Sequence, residues 1–282
     1  ADGGPLGQDR REQPAERPWF DRSVAPGGYC WWYVDATSDC GRFALTVIAF
    51  VGSVFSPYYA WSGRAKPENH IAVNIALYHP GGNAWAMTER GQGDLRRSRE
   101  RIDIGPSRLV YDETGLEIVF DEVALPWPGQ RLRPSRLSGR IRVTPETQGN
   151  LVCALDADGH HIWQPVYPKT RVQIESDYLS DGGWTGEGYH DFNAGDRPPQ
   201  ADFRGWDWAR GSDPDGNTVV CYDAVSKEGT RQALAFSFGA DGRSTSLLPP
   251  PRFRLPATTW RVRGESSPAI FAICAGAASG AT

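Results

Sequence analysis

Hydrophobic and polar residues alternate along this chain in short runs, and the runs end at glycine, proline, aspartate or asparagine. Alternation with a period of two sends successive side chains to opposite faces of an extended strand. The pattern predicts strands at 30–35, 44–55, 71–79, 85–88, 109–111, 116–120 and 140–143. The second half adds 151–155, 172–175, 218–222, 233–238, 258–262 and 269–273. With 32 glycines and 22 prolines, the chain is interrupted too often for an amphipathic helix of ordinary length. Tyr111-Asp112-Glu113-Thr114-Gly115-Leu116 predicts a hairpin with Gly115 at positive φ, and 156–159 and 239–242 predict two more. The expected fold is all-β, made of antiparallel barrels or sandwiches, since the helices that a doubly wound sheet requires are missing from the pattern. The lack of a short fixed repeat argues against propellers and solenoids.

A length of 282 residues suits one large β domain or two smaller ones. Residues 1–20 are polar and glycine- and proline-rich, which predicts a disordered tail. A first β domain is expected over 21–165 and a second over 166–282, with the boundary in 163–170, where Pro165 and Pro168 break the alternation. The longest apolar stretches, 43–55 and 269–278, fall short of the roughly 20 residues a spanning helix needs. Residues 1–17 contain no apolar core of a signal peptide. Five cysteines, odd in number and without a C-x-x-C pair, fit reduced thiols in a cytoplasmic protein. The formal net charge of −4 gives nucleic-acid binding no support. The basic run Arg96-Arg97-Ser98-Arg99-Glu100-Arg101 is expected to be solvated surface, or else a contact for anionic lipid.

Candidate chemistry lies where an acid sits among aromatics. Asp191 occurs in Gly188-Tyr189-His190-Asp191-Phe192-Asn193, with His161-Ile162-Trp163 upstream and Trp206-Asp207-Trp208 downstream. A carboxyl walled by Tyr, Trp and Phe loses water, which raises its pKa and makes it a proton donor. A lone aspartate after a glycine-rich segment is also an ordinary turn former or cap. If 189–193 is extended, Tyr189 and Asp191 share one side and His190 takes the other, and His161 shares a side with Trp163. Such a site suits protonation of an apolar carbon skeleton and stabilisation of the resulting cation.

Gly28-Tyr29-Cys30-Trp31-Trp32-Tyr33-Val34-Asp35-Ala36 puts Tyr29, Trp31 and Tyr33 on one face and Cys30, Trp32 and Val34 on the other. It is either a core strand of a large barrel or a wall of a cavity for a long apolar ligand, and its tryptophan density favours the cavity. Trp31, Trp32, Tyr33, Tyr58, Trp206 and Trp208 are the expected substrate-lining residues. Neither metal-ligand spacing nor a phosphate-binding loop, a G-x-S-x-G elbow or an H-E-x-x-H motif is present, so neither metal nor cofactor is expected. Glu117 with Asp121, or Asp35 with Asp39, could serve as paired carboxylates, which keeps sugar binding as the rival class.

At these residues the chain resembles the carotenoid 1,2-hydratases, which add water to the terminal 1,2 double bond of acyclic carotenoids such as neurosporene and lycopene. The resemblance is carried by 28–36, 46–59, Trp85-Ala86-Met87-Thr88-Glu89-Arg90, 188–193 and Trp206-Asp207-Trp208. It implies a pair of lipocalin-like β-barrel domains, no cofactor, and acid-initiated hydration with protonation at C2 and water capture at C1. The family's His and Trp look like His161 and Trp163, and its Tyr and Asp look like Tyr189 and Asp191. His160 leaves a one-residue alternative in register, and the His-x-Trp spacing favours His161. The implied partner is an acyclic carotenoid taken up by peripheral association with the inner or intracytoplasmic membrane. A non-catalytic lipocalin-like carrier and another acid-dependent isoprenoid or polyketide cyclase remain as alternatives.

Overall fold

The computed structural model describes residues 16–126, 132–249, 253–254 and 265–266. Twelve strands form one antiparallel sheet: β1 (Tyr29–Ser38), β2 (Ala44–Val51), β3 (Ile71–Tyr78), β4 (Ala84–Arg90), β5 (Leu95–Arg97), β6 (Arg101–Ile104), β7 (Ser107–Asp112), β8 (Gly115–Ala124), β9 (Ser135–Thr147), β10 (Cys153–Ala154), β11 (His161–Ser176) and β12 (Gly183–Gly195). Their spatial order is β4-β3-β2-β1-β12-β11-β9-β8-β7-β6-β5, with β10 paired to β11. A second antiparallel sheet follows in simple meander order: β13 (Phe203–Ser212), β14 (Thr218–Ser226), β15 (Arg231–Phe238) and β16 (Ser244–Ser246). Phe253–Arg254 pairs with Glu265–Ser266 as a further two-stranded ribbon. The only α-helix among the described residues is α1 (Pro57–Trp61), started by Pro57 and capped by the Ser56 side chain on the Tyr59 N–H.

The expected all-β, antiparallel class is therefore what the chain forms. The hairpin at 111–116 turns at Gly115, φ 137°, where a Cβ would lie 2.1 Å from the Val143 carbonyl oxygen. The expected strand 44–55 stops at Val51, because Gly52 turns the chain with φ 73°. Strands expected at 258–262 and 269–273 lie outside the described residues, as does Cys274.

Two parts of the expected organisation are corrected. Residues 16–20 pack rather than trail: Phe20 is fully buried, stacks on Tyr111 at 4.7 Å and touches Trp32, whose indole N–H donates to the Pro18 carbonyl at 2.8 Å. Residues 163–170, where the boundary was expected, run inside β11; its register shifts at Pro165/Tyr167 and Tyr167/Thr170 absorb the prolines, and the change of sheet comes after Gly195.

The large sheet curls until β4 lies against β8. Leu125 N–H donates to the Trp85 carbonyl at 2.8 Å, and the Arg90 guanidinium forks onto Glu122 at 2.7 and 3.1 Å. Ser107 adds a hydroxyl donor to Glu122 at 2.6 Å. The curled face encloses an aliphatic core that includes Val34, Val47, Val73, Ile118, Ile141 and Val172. Strand β12 takes in most of the glycine-rich segment that precedes Asp191. Its glycines fit because neighbouring strands press on it: a Cβ on Gly186 would lie 2.0 Å from the Thr37 carbonyl oxygen, and one on Gly188 would lie 2.5 Å from the Val172 side chain.

Because Glu122 is buried and its charge is met by Arg90, removing only the cation should be costly. Arg90→Met is expected to lower the unfolding free energy by about 3 to 5 kcal/mol, and adding Glu122→Leu should restore most of that loss, both read by urea denaturation.

Candidate active site

The outer face of the large sheet carries most of the candidate residues. Antiparallel register sets three rows across β1, β12 and β11: Tyr29, Gly195 and His161; Trp31, Asn193 and Trp163; Tyr33, Asp191 and Pro165. One further step along, Asp35 pairs with Tyr189. The intervening residues Trp32, Val34, Phe192 and Ala194 point into the barrel core, which follows from the period of two.

The second sheet roofs this face. Trp163 meets the rings of Tyr222 and Phe236 at 5.7 and 6.0 Å, and Trp208 meets Tyr33 and Tyr189, both at 5.3 Å. Asp191 is left 3% exposed beneath it. Three donors converge on its carboxyl: the Trp163 indole N–H at 2.9 Å and the Tyr189 hydroxyl at 3.0 Å on Oδ2, and the Asn193 amide at 3.1 Å on Oδ1. Burial nonetheless wins. Loss of water raises the Asp191 pKa to about 7, against the lowering effect of those donors and with some help from the negative field of Asp35.

The two carboxyl oxygens are not equivalent. An indole N–H can only donate, so Oδ2 must accept from Trp163 while it also faces Tyr189, whereas Oδ1 meets the Asn193 amide. The Asn193 carbonyl oxygen is buried without a partner beside it, and a half-turn of that amide exchanges donor for acceptor. Asn193 therefore suits either protonation state of Asp191.

His161 is fully buried one row beyond Trp163. Its Nδ1 pairs with the Tyr29 hydroxyl at 2.9 Å and its Nε2 with Asp202 at 2.8 Å, and Phe203 packs on its ring at 4.9 Å. Partial burial of Asp202 opposes its charge, but the Arg197 fork and His161 outweigh this and hold its carboxyl below the usual range. A cleft bounded by Arg22, Tyr29, His160, Ala194 and Asp196 opens beside this end of the row. His160 lies at the cleft, bonded to Asp196 at 2.9 Å.

Trp163, Tyr189, Asp191, Tyr33 and Trp208 thus form one cluster, and Trp206 packs against the same core from β13. Trp31 shares the face and flanks the cluster. Trp32 does not join them: it is buried in the barrel on the opposite side of β1, against Phe20 and Phe192. Tyr58 does not either: it stands 62% exposed on α1, edge-on to Trp61. His190 faces away from Asp191, bonded to the Tyr111 hydroxyl and the Tyr33 carbonyl, and burial lowers its pKa to about 4.

Sequence reasoning passed over Asn193, Tyr29, Asp202 and Tyr222. Asn193 had a local signal, two residues after Asp191, and Tyr29 one in its shared face with Trp31 and Tyr33; Asp202 and Tyr222 arrive from outside these segments and had none. The carboxylates that supported sugar chemistry are bound to arginines: Glu117 to Arg140, Asp121 to Arg136, Asp35 to Arg210 and Asp39 to Arg171. Among the described residues no group of three or more His, Cys, Asp or Glu could hold a metal ion.

A lipocalin-like, all-β protein with a buried, aromatic-walled acid is the class these features define. A solved AttH-type structure from Nitrosomonas europaea has the same fold, with a TM-score of 0.53 at 15% identity, covering 91% of this chain and 79% of that one. The chain belongs to the carotenoid hydratase family: the family described as carotenoid hydratase CrtC matches residues 47–269. The acyclic carotenoid 1,2-hydratase of Rubrivivax gelatinosus is 49% identical over 250 residues, and that of Thiocapsa roseopersicina is 44% identical over 266. These alignments take in 87% and 93% of this chain but only 60% and 64% of those two relatives. The acyclic carotenoid 1,2-hydratase of Cereibacter sphaeroides is 40% identical over 77% of this chain and 74% of its own.

Since Trp163 donates to the ionised carboxylate, Trp163→Phe should move the Asp191 pKa further above about 7. Carbon-13 NMR of labelled aspartate across a pH series would show it, and a midpoint at or below the wild-type value would contradict the geometry.

Proposed function

We propose that this chain hydrates the terminal 1,2 double bond of acyclic carotenoids such as neurosporene and lycopene, with Asp191 as the general acid. The observation that carries the reading is the carboxyl buried among Trp163, Tyr189 and Asn193 with its pKa raised to about 7, in a chain of the carotenoid hydratase family. An acid poised near neutrality both holds its proton and releases it. Protonated Asp191 gives its proton to C2, and the π electrons form the new C–H bond, leaving a tertiary cation at C1. A water oxygen adds to C1, its surplus proton returns to the Asp191 carboxylate, and a tertiary alcohol results. Every atom of the added water ends in the product or restores the acid.

The ring faces of Trp163, Tyr189 and Trp206 are assigned to stabilising that cation, by about 0.5 to 2 kcal/mol each. Trp208 supports Tyr189 and Tyr33 from the roof. His161 has both ring nitrogens occupied and no hydrogen bond to Asp191, so its role is placed on Tyr29 rather than on the acid. His161 fixes that hydroxyl, which borders the cleft, and through it is assigned to positioning the attacking water. The reaction changes no oxidation state and needs no redox group. A long apolar substrate has to come from a membrane, so the protein is assigned to the cytoplasmic side of the inner or intracytoplasmic membrane as a peripheral component. No helix among the described residues is long and apolar enough to cross one.

Asp191→Asn should abolish hydration of lycopene and neurosporene in detergent while leaving the unfolding midpoint near wild type; near-normal turnover would sink the mechanism. In wild type, heavy-oxygen water should label the product alcohol, and the rate should survive chelation. The active form is the protonated acid, whose population is high below its raised pKa, so kcat should fall as pH rises through about 7. His161→Ala should cut turnover strongly and His160→Ala only slightly; the reverse ranking would put the site one residue out of register.

A further inference from the structure

Asp191 and the side chains bonded to it are buried, yet the proposed substrate is a long hydrocarbon, so its entry point should be visible on the surface. Three large aromatics stand out of the protein together: Phe55 is 54% exposed, Tyr58 62% and Trp61 76%. They cluster on and just before α1, where Tyr58 packs edge-on against Trp61 at 5.5 Å. The segment is firmly held. Ser56 caps α1 and donates to Glu89, Glu89 also binds His70, and the Tyr59 hydroxyl donates to the Gly28 carbonyl at 2.7 Å. The exposure is therefore that of a fixed projection.

Two further observations say what it meets. Residues 53–67 contain Arg64 and Lys66 and no acid, and neither cation forms an ion pair among the described residues, although the protein as a whole carries a net charge of −4. Arg64 lies over the Tyr59 ring at 5.9 Å, and its Nε is buried without a hydrogen-bond partner. Exposed Trp and Tyr beside unpaired cations match the aromatic and basic groups that settle at an anionic bilayer surface. The projection is also continuous with the site. Phe55 contacts Phe50 at 5.6 Å and Trp31 at 6.4 Å, Trp31 is the cross-strand partner of Asn193, and the Asn193 amide bonds Asp191.

We propose that the Phe55–Lys66 projection docks on an anionic lipid bilayer, and that the Phe55, Phe50 and Trp31 rings form the path by which an apolar chain passes from the bilayer toward Asp191. The docking half stands on the exposed patch alone; the path half rests on the proposed hydration.

The test is co-sedimentation of the full chain with vesicles of phosphatidylcholine, with and without phosphatidylglycerol, in the absence of carotenoid. Wild type should bind the anionic vesicles and bind neutral ones much more weakly. Arg64→Gln with Lys66→Gln should weaken anionic binding by about 30-fold, taking ~1 kcal/mol per cation. Trp61→Ser should weaken it on the order of tenfold. Circular dichroism and the unfolding midpoint should match wild type, since Trp61 is mostly in solvent. Asp191→Asn should bind vesicles normally. Trp61→Ser should then lose turnover of carotenoid embedded in vesicles and keep turnover of carotenoid dispersed in detergent. Absence of wild-type vesicle binding, or equal binding by the variants, overturns the docking surface and leaves hydration untouched. Normal vesicle turnover by Trp61→Ser overturns the path. A wild type that binds vesicles but hydrates nothing in detergent fails the hydration reading and leaves docking standing.

Discussion

The removal of Asp191 from water is the constraint on which the rest of the site depends. In solvent its carboxyl would be ionised near neutrality and unable to protonate carbon. Three donors aimed at it would by themselves deepen that ionisation, but desolvation outweighs them and raises its pKa to about 7. The donors hold the carboxyl in one orientation and are placed to meet its charge when it is ionised.

Desolvation of this kind takes two sheets. The barrel supplies a floor of three aligned rows, whose spacing comes from strand register, with glycines where strands crowd. The second sheet supplies the roof through Trp208, Tyr222 and Phe236. An ion pair and a hydrogen bond pin one to the other. Arg210 of β13 reaches Asp35 of β1, and Asp202, just before β13, reaches His161 of β11. His161 thus ties the roof to the floor at the end where Tyr29 borders the open cleft, while Arg210 closes the opposite end near Tyr189.

The same face continues beyond the roof, over Phe50 and Trp31 toward Phe55. One side of β1 therefore links a dry acid to an aromatic projection at the surface, and the other side, through Trp32, closes the barrel core. Sequence alternation alone assigns Trp31 and Trp32 to different faces but does not say which face meets the acid. Trp31 and Trp32, both expected to line the substrate site, lie in two environments that one strand keeps apart.

The sequence by itself determined the all-β class and the hairpins, because period-two alternation and positive-φ glycine are local properties of the chain; it put Tyr189 and Asp191 on one side only on condition that 189–193 is extended. It could not mark β12 as a strand, since the reason for its glycines is the nearness of Thr37 and Val172, residues far away in the chain. Nor could it keep β11 unbroken across two prolines, which a shift of register accommodates. Tertiary structure alone decided that Asn193 completes the carboxyl's shell, that Asp202 and Tyr29 occupy His161, and that Tyr58 stands in solvent. Each of these depends on which strand lies beside or above another, and that is set by the closure of the barrel and the packing of the second sheet, neither of which is written in any short stretch of residues.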